Sequence, residues 1–148
     1  MNNSYKKLSL LIVINGVLMF LLTYSNLANI NHFYPNINRG YMSLIMVAPM
    51  FIFMLIVMGD MYSNKNMNRF LYILFGVLLV AGIFFIRTQT AVGNVQFLRS
   101  MIPHHSSAIL MCEQSNLTNP EIIELCDQIV EVQREEIAIM KEMLAGYR

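Results

Sequence analysis

The apolar positions fall into two patterns that meet near residue 90. Before it, three runs contain no charged side chain: Leu8–Ala28, Met42–Gly59 and Phe70–Ile86. At 1.5 Å per residue even the shortest reaches about 25 Å, within the range a bilayer accommodates. Each is expected to span as a helix, because only internal hydrogen bonding satisfies a backbone in lipid. Spans are predicted over about 8–28, 42–62 and 70–86. The first run is longer than the apolar part of a signal peptide and ends without a small-x-small site, so it reads as an uncleaved anchor.

Beyond residue 90 the apolar positions recur at helical spacing instead. Residues 91–115 read as one helix, bent at Pro103. The stretch from Ser115 to Asn119 reads as a turn, with Thr118 or Asn119 as N-cap and Pro120 in the first turn of the next helix. That helix runs to about Ala145 and stops at Gly146. The fold class expected is all-α: a membrane domain over 1–90 and a C-terminal helical hairpin over 91–148.

Composition agrees with this division. Hydrophobic residues make up 56% of the chain and charged ones 13%, against roughly 25% charged in average proteins. Disorder, a nucleic-acid-binding tail and an ordinary soluble surface are excluded. The net charge of +1 conceals +5 over residues 1–96 and −4 over 97–148. Lys6, Lys7, Lys65 and Arg69 flank one side of the spans, and Arg39 and Arg87 the other. That bias places the N-terminus in the cytoplasm and the hairpin outside a cell (inner) membrane, as part of a multi-pass protein.

Two features inside the spans stand out. Asn15 lies in the middle of the first, where it can hydrogen-bond across helices, and Gly16, Gly76, Ala81 and Gly82 permit close helix approach. Met42, Met46, Met50, Met54 and Met58 recur every four residues through the second. Each is displaced about 40° from the last, so the five wind over roughly 160° of surface. Thioethers are soft ligands that suit Cu(I). Methionine is also an adaptable filler of gaps between helices, and that reading comes first.

The hairpin carries the chemistry. Met101, His104, His105, Ala108, Met111 and Cys112 share an arc of about 120° on the first helix. Ile122, Cys126, Ile129, Gln133, Glu136, Ile137, Met140 and Leu144 do so on the second. If Cys112 meets Cys126, the antiparallel register sets His105 near Gln133 and Met101 near Glu136 and Ile137. Two imidazoles, a carboxylate, an amide and thioethers then approach one level. Such a set suits a transition metal, and the thioethers pull the choice toward copper. A polar cluster with no metal, in which Glu136 holds a histidine in place, is an equal reading.

Phe97 to His105, which includes Met101-Ile102-Pro103-His104-His105, followed by Ala108-Ile109 and Met111, resembles the CopM-like family. This is a family of small ferritin-like helical domains with an M-I-P-H-H signature, long catalogued as a domain of unknown function. Gln133, Glu136-Ile137, Met140 and Leu144 fit its second-helix pattern. The resemblance covers about residues 91–145 and none of the three spans. It implies an extracytoplasmic helical bundle that in some members binds copper through Met and His. Carried over by position, the ligand set is Met101, His104, His105, Met111, Gln133, Glu136 and Met140. The chain departs from the family at Asn94, where an aspartate is common, and at Met143, where an aromatic is common. Cys112 and Cys126 replace small residues, and this chain has one hairpin where members often have two.

Three functions follow as expectations. The first is a membrane-anchored copper-binding protein for storage, tolerance or delivery, with a copper-handling partner protein. The second is a copper transporter lined by the methionines of the second span. The third is a structural or partner-binding membrane subunit whose polar cluster holds no metal. No nucleophile–base pair or cofactor loop is visible, so an enzyme is not expected. An outside location permits a Cys112–Cys126 disulfide, against a pair of reduced, buried thiols. A lone hairpin cannot enclose a core. A homodimer completing a four-helix bundle is therefore expected, against a hairpin laid on the spans or their loops.

Overall fold

The computed structural model describes residues 3–147. Five α-helices follow one another, with no strand among the described residues: α1 (Asn3–Leu22), α2 (Ile37–Val57), α3 (Lys65–Thr88), α4 (Asn94–Gln114) and α5 (Pro120–Ala145). Short 3₁₀ turns lie at Ile30–His32 and Gly59–Met61. The chain divides into two compact units. One comprises Met1–Thr23 and Asn38–Thr90, the other Tyr24–Ile37 and Ala91–Arg148.

In the first unit, three helices are long and apolar enough to cross a membrane: Ser4–Leu22, Ile37–Val57 and Lys65–Thr88. All three start before the predicted spans. The first also ends well before Ala28, because helix stops at Leu22 and a turn follows. Polar groups sit at the two ends of this unit. At one end the Tyr5 hydroxyl donates to Asn68 Oδ1 at 2.8 Å and accepts from the Asn64 N–H at 3.2 Å. Asn64 also caps α3, its side chain accepting from the N–H groups of Asn66 and Met67. These bonds join the start of α1 to the start of α3. At the other end Tyr41 donates to the Thr90 carbonyl at 2.8 Å, joining the start of α2 to the end of α3.

Between the ends lies an apolar cluster built from Leu8, Val47, Ala48, Phe51, Leu55 and Phe75. Gly82 is the glycine where close approach matters, since a Cβ there would come within 3.0 Å of Ile45. Gly16 and Gly76 have open space beside them, so they are not tight packing positions in this unit. Pro49 sits inside α2 without ending it.

The second unit is the hairpin α4–α5 with the segment 24–37 packed on it. The hydrophobic pattern assigned that segment to the membrane part, yet it groups with the hairpin. Pro103 gives the local reason. It lies inside α4 and has no N–H to offer the carbonyl four residues earlier, that of Arg99. Asn36 supplies the missing donor: its Nδ2 reaches the Arg99 oxygen at 3.2 Å. Asn36 is itself buried, held by the Tyr24 hydroxyl and the Tyr34 carbonyl. Further along, the Ile37 N–H meets Gln96 Oε1 and the Ala28 N–H meets Ser106 Oγ, both at 3.0 Å.

The core of this unit is formed by Leu98, Ile102, Ile109, Ile137, Met140 and Leu144, with Ala28 and Tyr34 packed against it. The turn closes as the sequence suggests. Asn119 caps α5, its side chain accepting from the Glu121 N–H, and Pro120 occupies the first turn. Cys112 and Cys126 are joined by a disulfide across the turn, with their Cα atoms 5.3 Å apart.

Candidate functional site

His105 is buried on α4 and directed at α5. Its Nδ1 lies 2.9 Å from the Met101 carbonyl and its Nε2 2.7 Å from Glu136 Oε2. Both ring nitrogens therefore face oxygen acceptors. The carbonyl accepts only, so Nδ1 carries a proton. A second proton must lie between Nε2 and the carboxylate, because two lone pairs do not approach to that distance unbridged. The side chain of Glu136 remains 47% exposed, so the pair is buried on its histidine side and open to water on its carboxylate side.

The expected register placed His105 opposite Gln133, and the observed partner lies one turn further along α5. Side chains tilt toward the N-terminus of their own helix. In an antiparallel pair the two side chains thus lean past each other, which lets Glu136 reach back to His105.

The other predicted ligands are placed differently. His104 is exposed beside His105, with ring centroids 5.9 Å apart. Met101 packs its side chain against the apolar cluster while its carbonyl orients His105. Met140 belongs to that cluster. Met111 is 68% exposed, and the structure does not bring it to the His105–Glu136 pair. Gln133 Oε1 is buried with no hydrogen-bond partner among the described residues. No group of three or more His, Cys, Asp or Glu positioned to hold a metal ion occurs among the described residues.

A third histidine belongs to the same neighbourhood and is absent from the sequence reading. His32 Nδ1 lies 2.9 Å from Ser106 Oγ, next in sequence to His105. Ser106 is fully buried, and its hydroxyl accepts from the Ala28 N–H while sharing a second hydrogen bond with the His32 ring. The His32 ring is held below its usual pKa, first by burial and then by the Lys141 charge. Its position before α2, 74 residues from Ser106, gave no signal by spacing. The docking of segment 24–37 on the hairpin brings it there.

The pair shares one feature with metal-bound histidines. An imidazole that ligates through one nitrogen usually donates its other N–H to a carbonyl or carboxylate, which fixes the ring. His105 has that arrangement through Met101, with a carboxylate facing its second nitrogen. Of the predicted set, the structure brings His105 and Glu136 into direct contact, with His104 next in sequence and its ring centroid 5.9 Å from that of His105.

Residues 86–144 match the family model described as a domain of unknown function (DUF305). Over 147 residues the chain is 31% identical to an uncharacterized protein of Acanthamoeba polyphaga mimivirus, an alignment that covers 97% of this chain and 93% of that protein. The chain belongs to the same family as that viral protein and carries the DUF305 domain in its C-terminal part. No solved structure matches it.

Proposed function

We propose that this is a membrane-anchored metal-binding protein whose DUF305 hairpin takes a transition metal, most suitably copper, between His105 and Glu136. The observation that carries the reading is the oriented imidazole, with Nδ1 on the Met101 carbonyl and Nε2 at 2.7 Å from Glu136 Oε2. A bound ion replaces the proton between them, and His104 supplies a further nitrogen. Imidazole ligation suits copper as well as zinc, and copper is chosen on the resemblance to helical domains that bind it through Met and His, since the Met101 thioether itself packs into the apolar cluster. Storage, tolerance or delivery then fits better than catalysis.

Lysine and arginine bias supports a cytoplasmic N-terminus and an extracytoplasmic hairpin, and a disulfide suits that location. Assembly is part of the same proposal. The hairpin leaves Phe97, Leu125, Val132 and Ile139 exposed, an apolar surface that a second hairpin would cover in a four-helix homodimer. The segment 24–37 supplies some of the cover that a bare hairpin lacks.

The competing reading is a structural subunit in which His105 and Glu136 only fix the helix register; that no group of three or more His, Cys, Asp or Glu suited to a metal occurs among the described residues favours it. Copper titration of the full-length protein in mild detergent separates the two. The proposal predicts one copper per hairpin or per pair of hairpins, lost when His104→Ala and His105→Ala are combined. Unchanged stoichiometry and affinity in that double variant would refute the site.

A further inference from the structure

The methionine ladder of α2 has no part in the hairpin site. One member, Met54, fills a gap between helices, packed with Met19 and Met67 against the apolar cluster of the unit. Met42, Met46 and Met50 instead remain 36–42% exposed. Met50 lies toward α1, since the amide Nδ2 of Asn15 donates to its Sδ at 3.4 Å, and so does Ser43, two turns earlier on the same face, which donates to the Gly16 carbonyl at 3.0 Å; Met46 lies one turn before Met50. The other half of the Asn15 amide is unsatisfied: Oδ1 is buried with no hydrogen-bond partner among the described residues. An unpaired carbonyl in an apolar setting is costly, and a cation removes that cost.

We propose that Met46, Met50 and Asn15 form a site for a soft monovalent cation, Cu(I) or Ag(I), within the three-helix unit. Met46 and Met50 are one turn apart, about 6 Å along the axis. Each has three rotatable bonds, so both sulfurs can turn to one ion. Neutral thioethers favour a soft ion of low charge and give no advantage to Zn(II) or Mg(II). The Asn15 oxygen turns its negative end toward that ion, while Nδ2 releases Met50 Sδ when the sulfur ligates. The ladder extends from this site to Met42 on one side and to Met54 and Met58 on the other, so the ion has thioethers to move to in both directions.

The site is independent of the hairpin, and its test removes the hairpin imidazoles first. Full-length protein carrying His104→Ala and His105→Ala, in lipid nanodiscs, is titrated with Ag(I), and bound metal per chain is measured. One Ag(I) per chain is expected. Adding Met46→Leu and Met50→Leu, which conserve volume and apolar character, should weaken binding by at least about tenfold. Asn15→Leu should weaken it by several-fold, and Met58→Leu should leave it within about twofold. Absence of Ag(I) binding in the His-free background overturns the site, and so does unchanged affinity after Met46→Leu and Met50→Leu.

Discussion

Both units are built from long helices, and they place their polar groups in opposite ways. In the three-helix unit the hydrogen-bonding side chains concentrate at the ends, as Tyr5 with Asn68 and Tyr41 with the Thr90 carbonyl. The middle is apolar on nearly every face, and only 11–28% of each candidate span is buried. In the hairpin unit the charged side chains share the outer surface with apolar ones, and buried histidine and serine groups find specific polar partners, as His105 with Glu136 and Ser106 with His32. The first arrangement suits helices surrounded by lipid, where outward apolar faces cost nothing. The second suits water, where an interior polar group must find a specific partner.

The comparison is sharpest where identical deletions are made in both units. Leu144→Ala removes a buried side chain from a core that water would otherwise reach, and about 3–5 kcal/mol of stability should be lost. Leu55→Ala removes an equally buried one from the unit expected to lie in lipid. There the transfer from water drops out, and the loss should be roughly half as large. Thermal unfolding of each variant in nanodiscs measures both. Equal losses would remove the physical distinction between the units.

Reduction should act on one unit only. The disulfide closes a loop of 14 residues, for which chain entropy gives about 3 kcal/mol. Hydrogen exchange with and without reductant should show faster opening of α4 and α5 and an unchanged three-helix unit.

Asn36→Ala should cost about 1–3 kcal/mol, because it orphans the Arg99 carbonyl that Pro103 leaves without a donor. Protection of segment 24–37 against exchange should fall with it, and a protected segment would show that the docking has another cause.

Acidification gives a smaller effect with a definite sign. His32 has a folded-state pKa below its ordinary 6.5, so the unfolded chain binds more protons in that window. Stability is full above 6.5 and declines as pH falls through 6.5 toward the lowered folded value. The decline should be confined to segment 24–37 and its contact with Ser106. His32→Asn should flatten this pH dependence, read by exchange at the Ala28 N–H.

Much of this was legible in sequence because it rests on local periodicity. The three charge-free runs, the helical spacing after residue 90 and the Asn119-Pro120 helix start need no tertiary information. The pairing of Glu136 with a histidine was among the sequence readings, but the register set His105 one turn away at Gln133, because register counted from Cα positions ignores the tilt of side chains. Segment 24–37 groups with the hairpin through contacts far apart in sequence, Asn36 with Arg99, Ile37 with Gln96 and Ala28 with Ser106, which no local pattern reveals. His32 was overlooked for the same reason. The ligand set drawn by resemblance was broader than the pair the structure brings together, since sharing a helix face places Met111 and Met140 on the same side as His105 but not at the same height.

The central claim is that a metal ion replaces the proton shared by His105 and Glu136. The most direct measurement is proton release on copper binding to the full-length protein, followed in weakly buffered solution by calorimetry in buffers of different ionisation enthalpy. The account predicts about one proton released per ion bound, with the release abolished by His105→Ala. Copper binding without proton release, or with the same release in His105→Ala, would contradict it.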